Sequence, residues 1–122
     1  MIQLKRVYEP PDPDDGIRIL VDRLWPRGLK KEDLHMDEWI RGVAPTNALR
    51  RWFAHDSAKW DEFCRRYSIE LEKNPESWRP LLKAAQQGTI TFLFSAHNLE
   101  QNNAVALKIF LEKQLERFRD TY

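Results

Sequence analysis

The first stretch of the chain that could do chemistry reads Val-Asp-Arg-Leu-Trp-Pro-Arg-Gly, over residues 21–28. It follows the apolar run Ile19–Val21, which is typical of a strand covered on both faces. Pro26 and Gly28 force the chain to turn after it. An acid, two arginines and an indole fall within six residues of this turn: Asp22, Arg23, Trp25 and Arg27. Such a strand end is a common place for functional groups.

The second stretch follows the apolar run Thr89–Phe94 and covers residues 95–103. It contains a hydroxyl, an imidazole and two amides: Ser95, His97, Asn102 and Asn103. Asn102 or Asn103 is predicted to cap a final helix. The free backbone N–H groups at a helix N-terminus favour an anion such as phosphate or carboxylate.

The two stretches meet if the strands before them are parallel neighbours, because ligands bind beyond the carboxyl ends of parallel strands. Arg23 or Arg27 would then close on the same anion bidentately. We expect a site for a small phosphate- or nucleotide-type ligand, with hydrolase-type chemistry in which Asp22 is the general base. The predicted catalytic residues are Asp22 and Ser95, and the predicted ligand-binding residues are Arg23, Trp25, Arg27, Arg50, Asn102 and Asn103.

Each of these residues also has a structural interpretation. Asp22 could pair with Arg23 or hydrogen-bond the following turn, and Trp25 is more typical of a packed lid on the core than of a stacking platform. Ser95 and His97 could form a nucleophile–base pair, but side chains two residues apart need not touch, and no orienting acid follows them.

Metal and cofactor signals are weak, and we predict neither a metal nor a cofactor. The Asp12–Asp15 segment does not have the register of an EF-hand calcium loop and is better explained as a stiff, solvated turn. His55 and His97 lack metal-ligand spacing, and Cys64 is the single cysteine.

The composition of the chain limits its domain number, its partners and its location. A chain of 122 residues with 42% apolar and 11% aromatic residues predicts one domain, residues 1–122, with a real core. The net charge of +1 argues against a generic nucleic-acid or membrane coat. No apolar run is long enough to span a bilayer, and a single cysteine suits the reducing cytosol, so we expect no membrane partner and a cytoplasmic location.

Three strands are predicted, at residues 2–8, 17–24 and 89–94, the last of them central. A short run near Trp39 is a further strand or extended segment. The proline-rich connection between the first two strands is too short for an ordinary parallel crossover, so the local rule favours an antiparallel hairpin.

Helices are predicted at residues 47–53 after an N-cap at Thr46, from Asp56 or Ser57 to about Lys73, at 79–87 after a turn at 75–78, and from Asn102 or Asn103 to about Arg119. The last helix has an apolar stripe that runs from Ala104 to Phe118. This order predicts an α/β fold: a small, largely central sheet flanked by helices, in a Rossmann-like α/β sandwich.

The motifs at residues 21–28, 44–53, 63–71 and 94–104 together resemble the YeaO-like bacterial proteins, a family catalogued as a domain of unknown function (DUF488). The resemblance covers nearly the whole chain and implies a small cytoplasmic α/β protein, but it supplies no reaction. Longer relatives carry a helix between the first two strands, which would make those strands parallel. They also carry cysteines after the last strand, where this chain has Ser95 and Asn102–Asn103. The family motif covers Asp22, Arg23, Trp25, Arg27, Arg50, Ser95 and Asn102.

Two alternative functions stay open beside the anion site. The first is a nucleic-acid-binding or processing module, and the second is a protein-interaction domain with an exposed patch formed by Trp25 and Trp39. The nucleic-acid module would use six cations: Arg23, Arg27, Lys30, Lys31, Arg50 and Arg51.

Overall fold

A computed structural model of the chain describes the backbone of residues 1–120 and the side chains of residues 1–117. Within these residues it has one sheet, in the order β1-β4-β2-β3, and every adjacent pair of strands is parallel. The strands are β1 (Ile2–Arg6), β2 (Ile17–Leu20), β3 (Glu38–Trp39) and β4 (Ile90–Phe94). The predicted α/β fold with a small central sheet flanked by helices is confirmed.

The expected hairpin between the first two strands is wrong. β1 and β2 both pair with β4, which lies between them, so that Leu4 and Ile19 both face Phe92 in the register. The hairpin rule failed because the connection of residues 7–16 does not reverse the chain in a tight turn. It returns along the sheet and contains a short 3-10 turn at Pro13–Asp15, which leaves the central position for β4.

The described residues form four α-helices: α1 (Asn47–Phe53), α2 (Trp60–Glu72), α3 (Pro75–Gln87) and α4 (Asn103–Asp120). The prediction of α1 is confirmed, including its N-cap, because the Thr46 hydroxyl accepts a hydrogen bond from the Leu49 amide. α4 begins where it was predicted to begin. The predicted Phe118 side chain at its far end lies outside the described residues.

The predicted turn at residues 75–78 is wrong, because α3 begins at Pro75 and continues through Pro80. Pro75 occupies the first helical position, where its missing N–H costs nothing. Pro80 deprives the carbonyl of Glu76 of its helical donor. Glu76 and Pro80 are both exposed, so water can solvate that carbonyl.

The main core lies between the helices and one face of the sheet. Alternate strand residues Ile19, Ile90, Phe92 and Phe94 pack there with side chains from all four helices. Leu20 and Leu93 point to the opposite face, where they pack with Val7, Leu34 and partly buried residues of the segment 25–39. That segment therefore covers the second face of the sheet. Among the described residues, no helix is long and apolar enough to cross a membrane.

The second face of the sheet also buries a charged cluster around Asp15. The Asp15 carboxylate is 2% exposed and forms ion pairs with Lys5 and Arg18. Burial by itself would raise the pKa of Asp15. Hydrogen bonds from Lys5, the Asp12 backbone and Arg18 outweigh that effect and lower the pKa to about 2. The segment is a turn, as predicted, but the prediction that it is solvated is wrong at Asp15, which is buried and anchors the turn to β1 and β2.

Replacing Gly16 by alanine is predicted to destabilise the fold. Gly16 has φ of 63° and ψ of −137°, and an added Cβ would lie 2.0 Å from the Thr89 carbonyl oxygen. We expect Gly16→Ala to lower the free energy of unfolding by about 2 kcal/mol or more, measured by urea denaturation. Gly42→Ala is the matched control, because nothing lies within 4 Å of its added Cβ. Equal stabilities of the two variants would contradict this account.

The Asp15 cluster predicts a loss of stability in acid. A carboxyl with a folded-state pKa of about 2 and an ordinary value of 3.8 contributes stability that is present above pH 4. That contribution is lost as the pH falls towards 2. Asp15→Asn should therefore be less stable than the wild type at neutral pH, and the difference should narrow between pH 4 and pH 2. Chemical denaturation at a series of pH values measures this, and a difference independent of pH would refute it.

Candidate functional site

A cavity of about 520 Å³ opens at the carboxyl ends of β2 and β4. The loop after β2 and the loop between β4 and α4 form two of its walls, and the segment before α1, the middle and C-terminal end of α1 and the α1–α2 connection contribute to the others. All eight residues predicted for the site line this cavity: Asp22, Arg23, Trp25, Arg27, Arg50, Ser95, Asn102 and Asn103. The two polar stretches that the sequence singled out therefore share one crevice.

Asp22 joins the two loops. Its Oδ2 accepts hydrogen bonds from the Ser95 amide at 3.0 Å and from the Ser95 hydroxyl at 2.7 Å. Its Oδ1 accepts one from Nδ2 of Asn103 at 3.0 Å. The carbonyl of Asp22 accepts from the indole N–H of Trp39 at 2.7 Å. One residue at the end of β2 thus holds the end of β4, the start of α4 and β3.

The Asp22 carboxylate is 9% exposed and forms no ion pair among the described side chains. Its three hydrogen bonds replace the water that burial removes. The N-terminus of α4, at Asn103, supplies further positive potential. Neither predicted structural role of the Asp22 carboxylate is observed: it pairs with no arginine, and it bonds the loop after β4 and the start of α4 rather than the turn that follows β2.

Arg23 points towards the wall before α1. Its Nε donates to the Pro45 carbonyl at 2.9 Å and its Nη2 donates to the Ala44 carbonyl at 2.9 Å. Neither partner is negatively charged, so no acidic group neutralises the positive charge of the guanidinium at the cavity surface.

Trp25 lies over the second face of the sheet. Its indole N–H donates to the Leu29 carbonyl at 2.6 Å, and its ring meets that of Trp39 edge-on at 5.5 Å between centroids. Both rings are half-buried. This is the packed lid that the sequence favoured, with one side on the cavity.

Arg27 and Arg50 are the exposed cations of the site. The Arg27 guanidinium has no hydrogen-bond or ionic partner among the described residues. Arg50 donates to the neutral amide of Asn47 at 3.0 Å, one turn earlier in α1. Both guanidinium groups are therefore available to an anion.

The side chains of Asn102 and Asn103 are used within the protein. Asn102 is buried, accepts from the Val105 amide at 2.9 Å as the N-cap of α4, and donates to the Asn98 carbonyl at 2.8 Å. Asn103 donates to Asp22 and to the Val21 carbonyl. At this terminus, the groups left for a ligand are backbone amides.

Arg6 and Tyr8 belong to the site, and the sequence reasoning missed them. Arg6 donates to the carbonyls of Ser95 and Ala96 at 3.1 and 3.0 Å, which fixes the loop after β4. Its guanidinium lies 4.7 Å from the ring centroid of Tyr8, a residue of the cavity wall. Their position at the end of the first strand could have indicated them. The expected antiparallel hairpin, however, placed that end of the strand away from the other two strand ends.

Two histidines also line the cavity. His97 Nδ1 lies 3.4 Å from Nη2 of Arg6, and the Ser95 hydroxyl donates to Asp22, so the structure does not form a Ser95–His97 pair. His55 follows Ala54, and both residues have left-handed backbones, with φ of 58° and 47°. No group of three or more metal-ligating side chains occurs in the described part of the chain.

The balance of charge in the cavity is positive. Among the described residues, three arginines line it against one carboxylate, Asp22, which already accepts three hydrogen bonds. A cationic pocket with low-dielectric walls attracts and orients small anions.

Comparison with known proteins agrees with the motifs. The family model described as the inactive DUF488-N3 subclade matches residues 1–121. The chain belongs to the YeaO-like DUF488 family. It is 43% identical to the uncharacterized protein YeaO of Escherichia coli K12 over 110 residues, which are 90% of this chain and 96% of YeaO.

Two mycobacterial proteins are also similar to the chain. The uncharacterized proteins Rv3073c of Mycobacterium tuberculosis and Mb3100c of Mycobacterium bovis are each 37% identical to this chain over 106 residues, which are 87% of this chain and 89% of theirs. No solved structure matches the chain.

Removing the Asp22 carboxylate is predicted to destabilise the fold through this site. Asp22→Ala leaves the Ser95 amide, the Ser95 hydroxyl and the Asn103 amide group without their acceptor. We expect a loss of about 2–4 kcal/mol in the free energy of unfolding, measured by urea denaturation. Asp33→Ala, an exposed carboxylate with no side-chain hydrogen bond in the described residues, is the control and should change stability by less than about 0.5 kcal/mol. A loss no greater than that of the control would show that Asp22 does not hold the loops.

Proposed function

We propose that this DUF488 protein binds a small phosphate- or nucleotide-type anion in the cavity at the ends of β2 and β4. The observation that carries the proposal is the set of uncompensated cations on the cavity wall. Arg23 contacts only carbonyls, Arg50 contacts only a neutral amide, and Arg27 has no side-chain partner in the described residues. Guanidinium groups bind phosphate bidentately, which gives both affinity and orientation.

The start of α4 supports the same ligand class. Among the described residues, the backbone amide of Asn103 donates no hydrogen bond, because the first amides of a helix have no carbonyl one turn earlier, and the Asn102 side chain caps the amide of Val105 instead. Asn103 is the first residue of α4 and lines the cavity. An anion held by Arg27 and Arg50 would gain from the positive end of α4.

Binding without turnover fits the family description, in which the subclade is called inactive. Hydrolase-type chemistry with Asp22 as base stays a prediction. The Ser95 hydroxyl does donate to Asp22 at 2.7 Å, which is the contact that a base–nucleophile pair needs. However, the same Oδ2 also accepts from the Ser95 amide, which is an anchoring arrangement. We therefore propose Asp22 and Ser95 as residues that position the loop.

The two alternative functions have less support. A nucleic-acid module would present Arg23, but this side chain is half-buried and turned towards Pro45. A tryptophan interface would present Trp25 and Trp39, but both indole N–H groups have internal acceptors and the rings pack on each other. A cytoplasmic location stays a prediction.

Thermal unfolding with a panel of anions tests the proposal. We expect orthophosphate or a phosphoester at about ten times its Kd to raise the Tm of the wild type by about 3 °C or more. Arg27→Ala and Arg50→Ala should each lose most of that shift while keeping the Tm of the free protein.

Arg51→Ala is the matched control, because Arg51 is an exposed arginine of α1 that does not line the cavity, and it should keep the shift. If no anion raises the Tm, or if Arg51→Ala loses as much as Arg50→Ala, the cavity is not an anion site. Assay of the same mixtures for ligand breakdown tests the catalytic version.

A further inference from the structure

The cavity is larger than a bare phosphate needs. Its volume of about 520 Å³ lies in the range of sites for organic ligands, about 300–1,000 Å³. Leu24, Pro26 and Pro45 give the lining an apolar portion beside the arginines. The cavity therefore has room for a ligand that carries an organic part next to its anionic group.

Tyr8 has the features of a stacking surface. Its side chain lines the cavity and the residue is 47% exposed. The Arg6 guanidinium lies 4.7 Å from the ring centroid, and Arg6 is itself fixed by the carbonyls of Ser95 and Ala96. The Tyr8 hydroxyl donates to the Arg27 carbonyl at 3.0 Å. The ring is thus held by a cation on one face and by a hydrogen bond at its edge.

The other face of the Tyr8 ring has no aromatic or cationic partner among the described residues. Trp25 differs, because its ring meets that of Trp39 and its N–H donates to Leu29. A fixed aromatic ring that is nearly half exposed can stack a planar heterocycle at low entropic cost. The sequence pointed to Trp25 for this role, whereas the geometry favours Tyr8.

The position of Tyr8 couples the ring to the cations. Its hydroxyl is bound to the carbonyl of Arg27, the residue whose guanidinium is free for an anion. We propose that the ligand is a nucleoside monophosphate or a similar phosphoester of an aromatic heterocycle. Its ring stacks on Tyr8, and its phosphate lies between Arg27, Arg50 and the start of α4. This inference rests on the proposed anion site and adds the chemical class of its ligand.

Calorimetric titration with three ligands tests the inference: adenosine 5′-monophosphate, ribose 5-phosphate and orthophosphate. We expect the wild type to bind the nucleotide about tenfold more tightly than ribose 5-phosphate, because of the stacked base. Tyr8→Leu should bring that ratio close to one, because only the nucleotide has a base that loses its stacking partner. Tyr8→Phe keeps the ring and should keep most of the ratio, with circular dichroism confirming that each variant is folded.

The outcomes separate the two proposals. If ribose 5-phosphate binds as tightly as the nucleotide, or if Tyr8→Leu keeps the full ratio, stacking on Tyr8 is wrong and the anion site stands. If none of the three ligands binds to the wild type, the anion site itself is wrong.

Discussion

The buried carboxylate of Asp22 is the constraint on which the site depends. It lies at the end of β2 and accepts hydrogen bonds from the first residue after β4 and from the first residue of α4. A buried carboxylate is tolerated only when its lone pairs are satisfied, so the loops that supply the donors are fixed with it. The parallel order of β4 and β2 makes this possible, because it brings both strand ends to one edge.

The same arrangement leaves the cavity positive. The one acid of the cavity wall is already satisfied by uncharged donors, and the arginines around it contact carbonyls or amides rather than carboxylates. Elsewhere the fold does pair its buried charges, as in the Asp15 cluster with Lys5 and Arg18. The contrast distinguishes a surface with uncompensated cations from a cluster that stabilises the protein.

Local signals predicted much of this molecule. The Thr46 cap, the buried strand β4 and the start of α4 follow from propensity and capping, and the clusters at Asp22–Arg27 and Ser95–Asn103 do lie together. The main predictions that failed were those that depended on the pairing of strands distant in the sequence. The order that places β4 between β1 and β2 cannot be read from a ten-residue connection, and for that reason Arg6 and Tyr8 were missed. The continuation of α3 through Pro80 was also missed. It requires that water solvate the Glu76 carbonyl, and local propensity rules do not include this effect.

The account claims that Arg27, Arg50 and the first amides of α4 surround a single anion. A crystal of the protein soaked in selenate or tungstate measures this directly, because the anomalous signal locates the anion. The account predicts a peak within hydrogen-bond distance of the Arg27 or Arg50 guanidinium, facing the Asn103 amide, with the Asp22 carboxylate still bound to Ser95. A cavity without a peak, or a peak held only by exposed cations elsewhere, would contradict it.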